Sequence, residues 1–205
     1  MKQFLERIAG EKAPGPAPTF SVLHILRAME IVAEKPIGRT KLAAELNMGE
    51  GATRTIINRL REAELLETSK MGCKLTAKGL RLWMEYKKVF QKKIEIGKSE
   101  LTHAKYNFAM LAKNCGHKIR SGIEQRDAAV KIGAKGAITV IVRDGRLIIP
   151  SVSNDFARDF PTTAEKIVKL LQPEENDVIL ISGADTFDLA EHGIAAATWT
   201  LLDDC

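Results

Sequence analysis

Residues 38–64 read GRTKLAAELNMGEGATRTIINRLREAE, and the interpretation of this stretch decides the fold of the first half of the chain. Leu42, Leu46, Ile56, Ile57 and Leu60 recur at a spacing that places them on the inward faces of two short amphipathic helices. Between them, Asn47-Met48-Gly49 predicts a sharp turn. Asn tolerates the left-handed conformation, Met48 plugs the turn from below, and Gly49 lets the second helix begin close to the first. The small Ala43 suits a helix crossing. The outward face of the second helix carries Gly51, Arg54, Thr55, Asn58 and Arg59, and its one acid in the first turn is Glu50. Amide, hydroxyl and guanidinium donors in such a row suit base edges and phosphates.

Downstream, Leu65 to Lys70 and Lys74 to Thr76 flank Met71-Gly72-Cys73 and predict two short strands with a basic-edged tip. Upstream, Thr19 is the expected N-cap of a helix that runs to about Glu34, with Val22, Leu23, Leu26 and Met29 inward and Pro36 and Gly38 closing it. A further helix is expected from Thr76 to Gln91, where Leu80, Trp83, Met84, Tyr86 and Phe90 exceed what a small core needs. That excess fits either packing on the first helix or pairing across a two-fold axis, so a homodimer is expected as one of the two arrangements. The order helix, helix, turn, helix, hairpin, helix over residues 18–93 resembles the winged helix-turn-helix transcriptional regulators. The resemblance implies base contact for Gly51, Arg54, Thr55 and Asn58, and backbone contact for Lys70 and Lys74 in the wing. Arg39 is expected to add to the backbone contacts and Arg59 to touch base or phosphate; the alternative for Arg59 and Arg61 is pairing with Glu62 or Glu64.

Charge divides the chain in the same way. Residues 1–94 hold 18 Lys and Arg against 10 acids, net +8, whereas residues 95–205 hold 13 against 16, net −3. Only the first half is suited to a polyanion. The three cysteines, Cys73, Cys115 and Cys205, are widely spaced and predict neither a disulfide framework nor a Cys-rich metal site. No stretch is apolar enough to span a bilayer, and the acid in MKQFLERIAG does not suit a signal peptide, so a soluble, cytoplasmic protein with no membrane partner is expected. Ahead of the winged segment, residues 1–17 predict a short helix through Phe4, Leu5 and Ile8, then a Pro-rich tether from Ala13 to Pro18. That helix docks either on its own domain or on a partner chain.

Residues 94–205 predict a second domain. Tyr106 to Lys113 is β-like, Gly122 to Ile132 helical, and Ala137 to Val142 a continuous β-branched run. Arg143-Asp144-Gly145-Arg146 calls for a two-residue hairpin turn into Leu147-Ile148-Ile149. Thr162 to Leu171 is the next helix, Asp177 to Ser182 the next strand and Thr186 to Leu202 the last helix; Ile94 to Leu101 is a candidate edge strand. Overall the chain is expected to be α+β: a winged helix-turn-helix followed by a two-layer α/β sandwich with a mainly antiparallel sheet and helices on one face.

Two segments of this half, Gly122-Ile123-Glu124-Gln125-Arg126-Asp127-Ala128-Ala129 and Gly133-Ala134-Lys135-Gly136-Ala137, follow the pattern GxEQRDAAxxxGAxGA. With the winged segment, they resemble an uncharacterised, mainly archaeal family that joins an N-terminal winged helix to a C-terminal domain of unknown function. The resemblance implies a regulator and no ligand. On physical grounds, a helix start beside Gln125, Arg126 and Asp127, together with Gly133, Gly136 and the loop Ser182-Gly183-Ala184-Asp185, is a candidate site for a small anionic effector if both loops open on one edge of the sheet. Capping and a tight turn explain the same residues without a ligand. His103, Cys115 and His117 lack a fourth ligand, Ser151 and Ser153 lack a nucleophile-elbow context, and Gly133 to Gly136 is no phosphate-binding fingerprint. No cofactor, metal or enzymatic activity is expected. The reading is a sequence-specific, double-stranded DNA-binding regulator; the rival readings are a winged-helix module for protein or RNA, and a metabolite enzyme in the second domain.

Overall fold

The computed structural model describes residues 1–10 and 18–202. The expected Pro-rich tether therefore lies, but for Pro18, outside the described residues. The chain divides into two compact units at Tyr86 and Lys87.

The first unit contains α1 (Lys2–Ala9), α2 (Val22–Glu34), α3 (Arg39–Glu45), α4 (Glu50–Glu62), the hairpin β1 (Leu66–Ser69) and β2 (Gly72–Leu75), and most of α5 (Ala77–Val89), whose last three residues fall past the boundary. Leu42, Ile56 and Leu60 are fully buried with Ile25, Met29 and Leu65, so the apolar spacing read from the sequence does form the core. Asn47 takes the left-handed conformation at the α3–α4 turn, with φ 49°. Gly49 is not what closes that turn: its φ is −64° and a Cβ there would stand in open space. Ser21, rather than Thr19, starts α2, through a capping box in which the Ser21 N–H donates to His24 Nδ1 at 3.1 Å. The wing gains a third pairing, because Ile37 and Cys73 exchange backbone hydrogen bonds of 3.1 and 2.8 Å. This explains Gly72, whose φ is +116° and where a Cβ would come within 2.5 Å of the Ile37 backbone. Helix α1 docks on its own unit, against α2 and α4, through buried Leu5 and Ile8.

The second unit contains β3 (Phe90–Glu95), β4 (Tyr106–Ala112), a 3-10 turn (Gly116–Lys118), α6 (Ile123–Lys131), β5 (Gly136–Arg143), β6 (Arg146–Ile148), α7 (Phe156–Asp159), α8 (Pro161–Leu171), β7 (Val178–Ala184) and α9 (Phe187–Trp199). The strands form one antiparallel sheet in the order β3-β4-β7-β5-β6. Asp144 and Gly145 have φ 52° and 68°, the two positive values that the expected hairpin turn requires. The edge strand starts at Phe90, directly after α5, and not at Ile94.

Register shows how the sheet is covered. Ala109, Ile181 and Ile138 share one face with Leu111, Ile179 and Val140, and this face packs on Phe156 of α7 and on Ala164, Ile167 and Leu171 of α8. The opposite face carries Met110, Leu180 and Thr139, and α9 lies along β4 and β7 there, with α6 beside it on β5. The α+β class and the antiparallel sheet are as read from the sequence. The sheet carries one helical layer more than the expected two-layer sandwich, which is why every residue of β7 is buried.

Candidate nucleic-acid interface

Helix α4 buries Thr53, Ile56, Ile57 and Leu60, and the 3.6-residue period then turns Gly51, Arg54, Thr55 and Asn58 to solvent. Thr55 Oγ1 donates to the Gly51 carbonyl at 3.1 Å, so its hydroxyl is held along the helix. Beside this row stands the wing, with Lys70 exposed at its two-residue tip and Met71 80% exposed next to it. Asn58, Arg61 and Glu62 of α4 face Leu66, Glu67 and Thr68 of β1 across an open groove of about 460 Å³. Burial pushes the Cys73 thiol up, against the opposing pull of the Arg61 charge.

The acids around this surface are engaged. Glu50 accepts from Thr40 Oγ1 at 3.2 Å and lies 3.6 Å from Arg39, an ion pair that joins the starts of α3 and α4. Glu67 pairs with its cross-strand neighbour Lys74 at 2.8 Å. Both pairs are about half exposed, so each contributes about 0–1 kcal/mol and its cation is exchangeable for a phosphate contact. Arg39 and Lys74 thus sit on the expected surface with partners already in place.

Arg59 does not belong to that surface. Its side chain is 9% exposed, its guanidinium donates to the carbonyls of Ile8 at 2.9 Å and Gly10 at 2.5 Å, and it stacks on the Phe20 ring 5.0 Å from the centroid. It ties the end of α1 to α4. Neither direct DNA contact nor pairing with Glu62 or Glu64, the two readings available from the sequence, fits this geometry.

In the second unit the expected effector residues separate. Gln125 is buried and donates to Thr200 Oγ1 at 2.8 Å; Ser182 is buried and donates to the Gly136 carbonyl at 3.1 Å. Both are consumed inside the fold. Gly133, φ +98°, ends α6, with Gly133 N–H to Val130 O at 3.0 Å and Ala134 N–H to Ala129 O at 3.1 Å. Arg126 pairs with Asp127 at 3.0 Å, and Asp185 with Lys135 at 2.6 Å, both on the surface. Arg126, Gly136 and Gly183 do meet, on the wall of a cavity of about 510 Å³. Leu101, Thr102, His103, Lys135, Ala137 and Ile138, which the sequence did not single out as a site, complete that wall. Among the described residues no group of three or more His, Cys, Asp or Glu could hold a metal ion, and no helix is long and apolar enough to cross a membrane.

Residues 20–90 match the family model of the CggR N-terminal DNA binding domain, and residues 103–201 match a domain of unknown function, DUF4443. The chain thus joins a segment similar to a DNA-binding domain to a segment similar to a domain of unknown function. Among solved structures, it is similar to a hypothetical protein, PH0730, from Pyrococcus horikoshii OT3, with 27% identity and a TM-score of 0.71 over 89% of this chain and 92% of the other. No curated protein matches. The resemblance read from the sequence thus stands in both halves, and the match to the DNA-binding model supports a DNA-binding regulator.

Proposed function

We propose that the chain is a sequence-specific, double-stranded DNA-binding transcriptional regulator of the cytoplasm, a non-catalytic protein whose second unit senses a small anion or mediates dimerisation. The observation that carries the first part is the exposed row Gly51, Arg54, Thr55 and Asn58 on α4, next to a wing tip that presents Lys70. An α-helix with that face fits the major groove, where Arg reads guanine and Asn reads adenine by paired hydrogen bonds. Arg54 has no partner of its own to give up among the described residues, so its guanidinium is available to a base edge. The Arg39 guanidinium and the ammonium groups of Lys70 and Lys74 in the wing hold phosphates.

A second route to a dimer, through the first unit, is supported by α5, where Leu80 and Met84 lie one turn apart and are exposed. Two copies paired there would bind half-sites about 34 Å apart or a multiple of it. Sensing is supported by the cavity that brings Arg126, Gly136 and Gly183 together.

Footprinting of genomic fragments with the purified full chain tests the reading, followed by titration of the recovered site with Arg54→Ala. The variant is expected to bind the recovered site about 1–3 kcal/mol more weakly and random duplex almost as well as the parent. Equal loss on both sequences would reduce Arg54 to a phosphate contact, and an unprotected genome at low salt would remove the regulator reading altogether.

A further inference from the structure

We propose that the cavity in the second unit is a binding site for a monoanionic carboxylate with an apolar body; the inference rests on the sensing reading above and gives it a ligand class. The cavity holds about 510 Å³, inside the ~300–1,000 Å³ range of small-molecule sites. Its character is divided. Leu101, Ala137 and Ile138 supply apolar wall, and Arg126, Lys135 and His103 supply nitrogen donors. Cations and acids at the rim are matched, Arg126 with Asp127 and Lys135 with Asp185, in pairs that are each about half exposed or more. Surface pairs of this kind exchange partners with little loss, so one further carboxylate is accommodated in place of Asp127 or Asp185. A dianionic phosphate would face both displaced acids at once. A single negative charge on an apolar tail fits both the rim and the wall.

The two glycines on the wall differ in what accounts for them. Gly136 and Gly183 are register partners on β5 and β7. At Gly183 a Cβ would come within 2.4 Å of Asn107 Oδ1 and 2.7 Å of Ala104 Cβ, so the protein itself requires that glycine. At Gly136 a Cβ would meet nothing within 4 Å, and the φ there is not left-handed. Neither conformation nor packing explains Gly136. What its missing side chain leaves open is the cavity it lines.

The test is isothermal titration and thermal unfolding of the full chain with straight-chain carboxylates from butanoate to decanoate, with octanamide as the uncharged control. Octanoate or a near neighbour is expected to saturate at one site and raise Tm, with an optimum in chain length, and octanamide to bind at least about tenfold more weakly. Gly136→Leu, with circular dichroism unchanged, is expected to abolish the titration, and the double variant Arg126→Ala, Lys135→Ala to weaken it by at least about tenfold while keeping the chain-length optimum. The proposal is overturned if no carboxylate binds, if octanamide binds as well as octanoate, or if Gly136→Leu binds like the parent. Should Gly136→Leu fail to fold, the double variant decides alone. DNA retention by the ligand-free chain, measured in parallel, separates failure of this site from failure of the regulator reading.

Discussion

Replacing Arg59 by alanine separates a residue that reads DNA from one that braces the reader. The guanidinium donates to two backbone carbonyls, at Ile8 and Gly10, and lies over the Phe20 ring. A hydrogen bond from a charged donor contributes about 1.5–3 kcal/mol, and a cation over an aromatic face about 0.5–2 kcal/mol. The three contacts share one side chain and the Gly10 carbonyl is partly solvated, so we expect the loss to be about 2–4 kcal/mol and not the full total. The loss is local. Leu5 and Ile8 still favour burial, but an eight-residue helix held by two apolar side chains is marginal on its own. Hydrogen exchange on the full chain should therefore show α1 amides losing protection first, with α2 and β7 little changed. Salt titration of DNA binding gives the opposing test, because each phosphate contact removed lowers the log–log slope by about 0.9. Arg59→Ala is expected to leave the slope unchanged. A variant with undiminished α1 protection and a slope lower by about one unit would show that Arg59 leaves its carbonyls for a phosphate, and would refute the bracing argument.

Lys70→Ala should do what Arg59→Ala does not, weakening binding uniformly across sequences and lowering the salt slope by about 0.9, whereas Lys74→Ala should have a smaller effect, since Lys74 must give up Glu67 to reach a phosphate. In the second unit, Asp177 is 1% exposed and accepts from Lys113 at 2.7 Å, from the Asn114 N–H at 2.9 Å and from the Glu174 N–H at 2.8 Å. Asp177→Ala strands two amides and is expected to cost about 3–5 kcal/mol in denaturant titration, with Asp177→Asn recovering part. Hydrogen bonds to Asp177 and then Glu174 raise the Lys113 pKa above its ordinary 10.5. A raised lysine contributes stability that is complete below that value and is lost as pH rises through the folded value. Stability of the parent should thus fall on the alkaline side of 10.5, and Asp177→Ala should flatten that fall. Gly183→Ala should fail to fold or lose more than about 3 kcal/mol, against less than about 1 kcal/mol for Gly136→Ala.

What the sequence made legible was local chemistry. The Asp144-Gly145 turn needs only two residues that accept positive φ, and Asn47 needs only one, so both could be read without knowing what packs nearby. The α4 face followed from a period of 3.6 and a clean segregation of Arg54 and Asn58 from Ile56, Ile57 and Leu60. Distant partners were not legible. Arg59 finds its acceptors 51 and 49 residues away, and they are backbone carbonyls, which leave no mark in composition. Gln125 and Ser182 looked like site residues because a buried polar side chain and a ligand-binding one have the same identity; only Thr200 and the Gly136 carbonyl, brought in by α9 and β5, tell them apart. Phe90 to Glu95 is a largely polar edge strand, and its pairing with β4 takes Phe90 and Gln91 out of the expected helix and starts the strand ahead of the expected Ile94. The second helical layer does have a signal in the sequence. A continuous β-branched run such as Ile138 to Val142 marks a strand covered on both faces, and one helical layer cannot cover both.

The charge asymmetry and the recognition face lead to the same place by different routes. A net charge of +8 in residues 1–94 makes association with a polyanion favourable, but it carries no sequence information. The fold converts it into a surface by engaging acids within their own elements or with the element beside them. Glu50 is held by Arg39 and Thr40, Glu67 by Lys74, and Glu64 by Lys78 at 2.9 Å. Each pair removes a repulsive charge from the path of a phosphate at the loss of one cation, and the Glu50 pair does so one turn ahead of Arg54 on α4 itself. In the proposed reading, Arg54 and Asn58 are then the groups that distinguish one duplex sequence from another, while the wing and the paired cations set how tightly any duplex is held. On the proposed function, specificity and affinity reside on separate residues of one small unit, and Arg59, buried behind them, fixes the helix that carries the first.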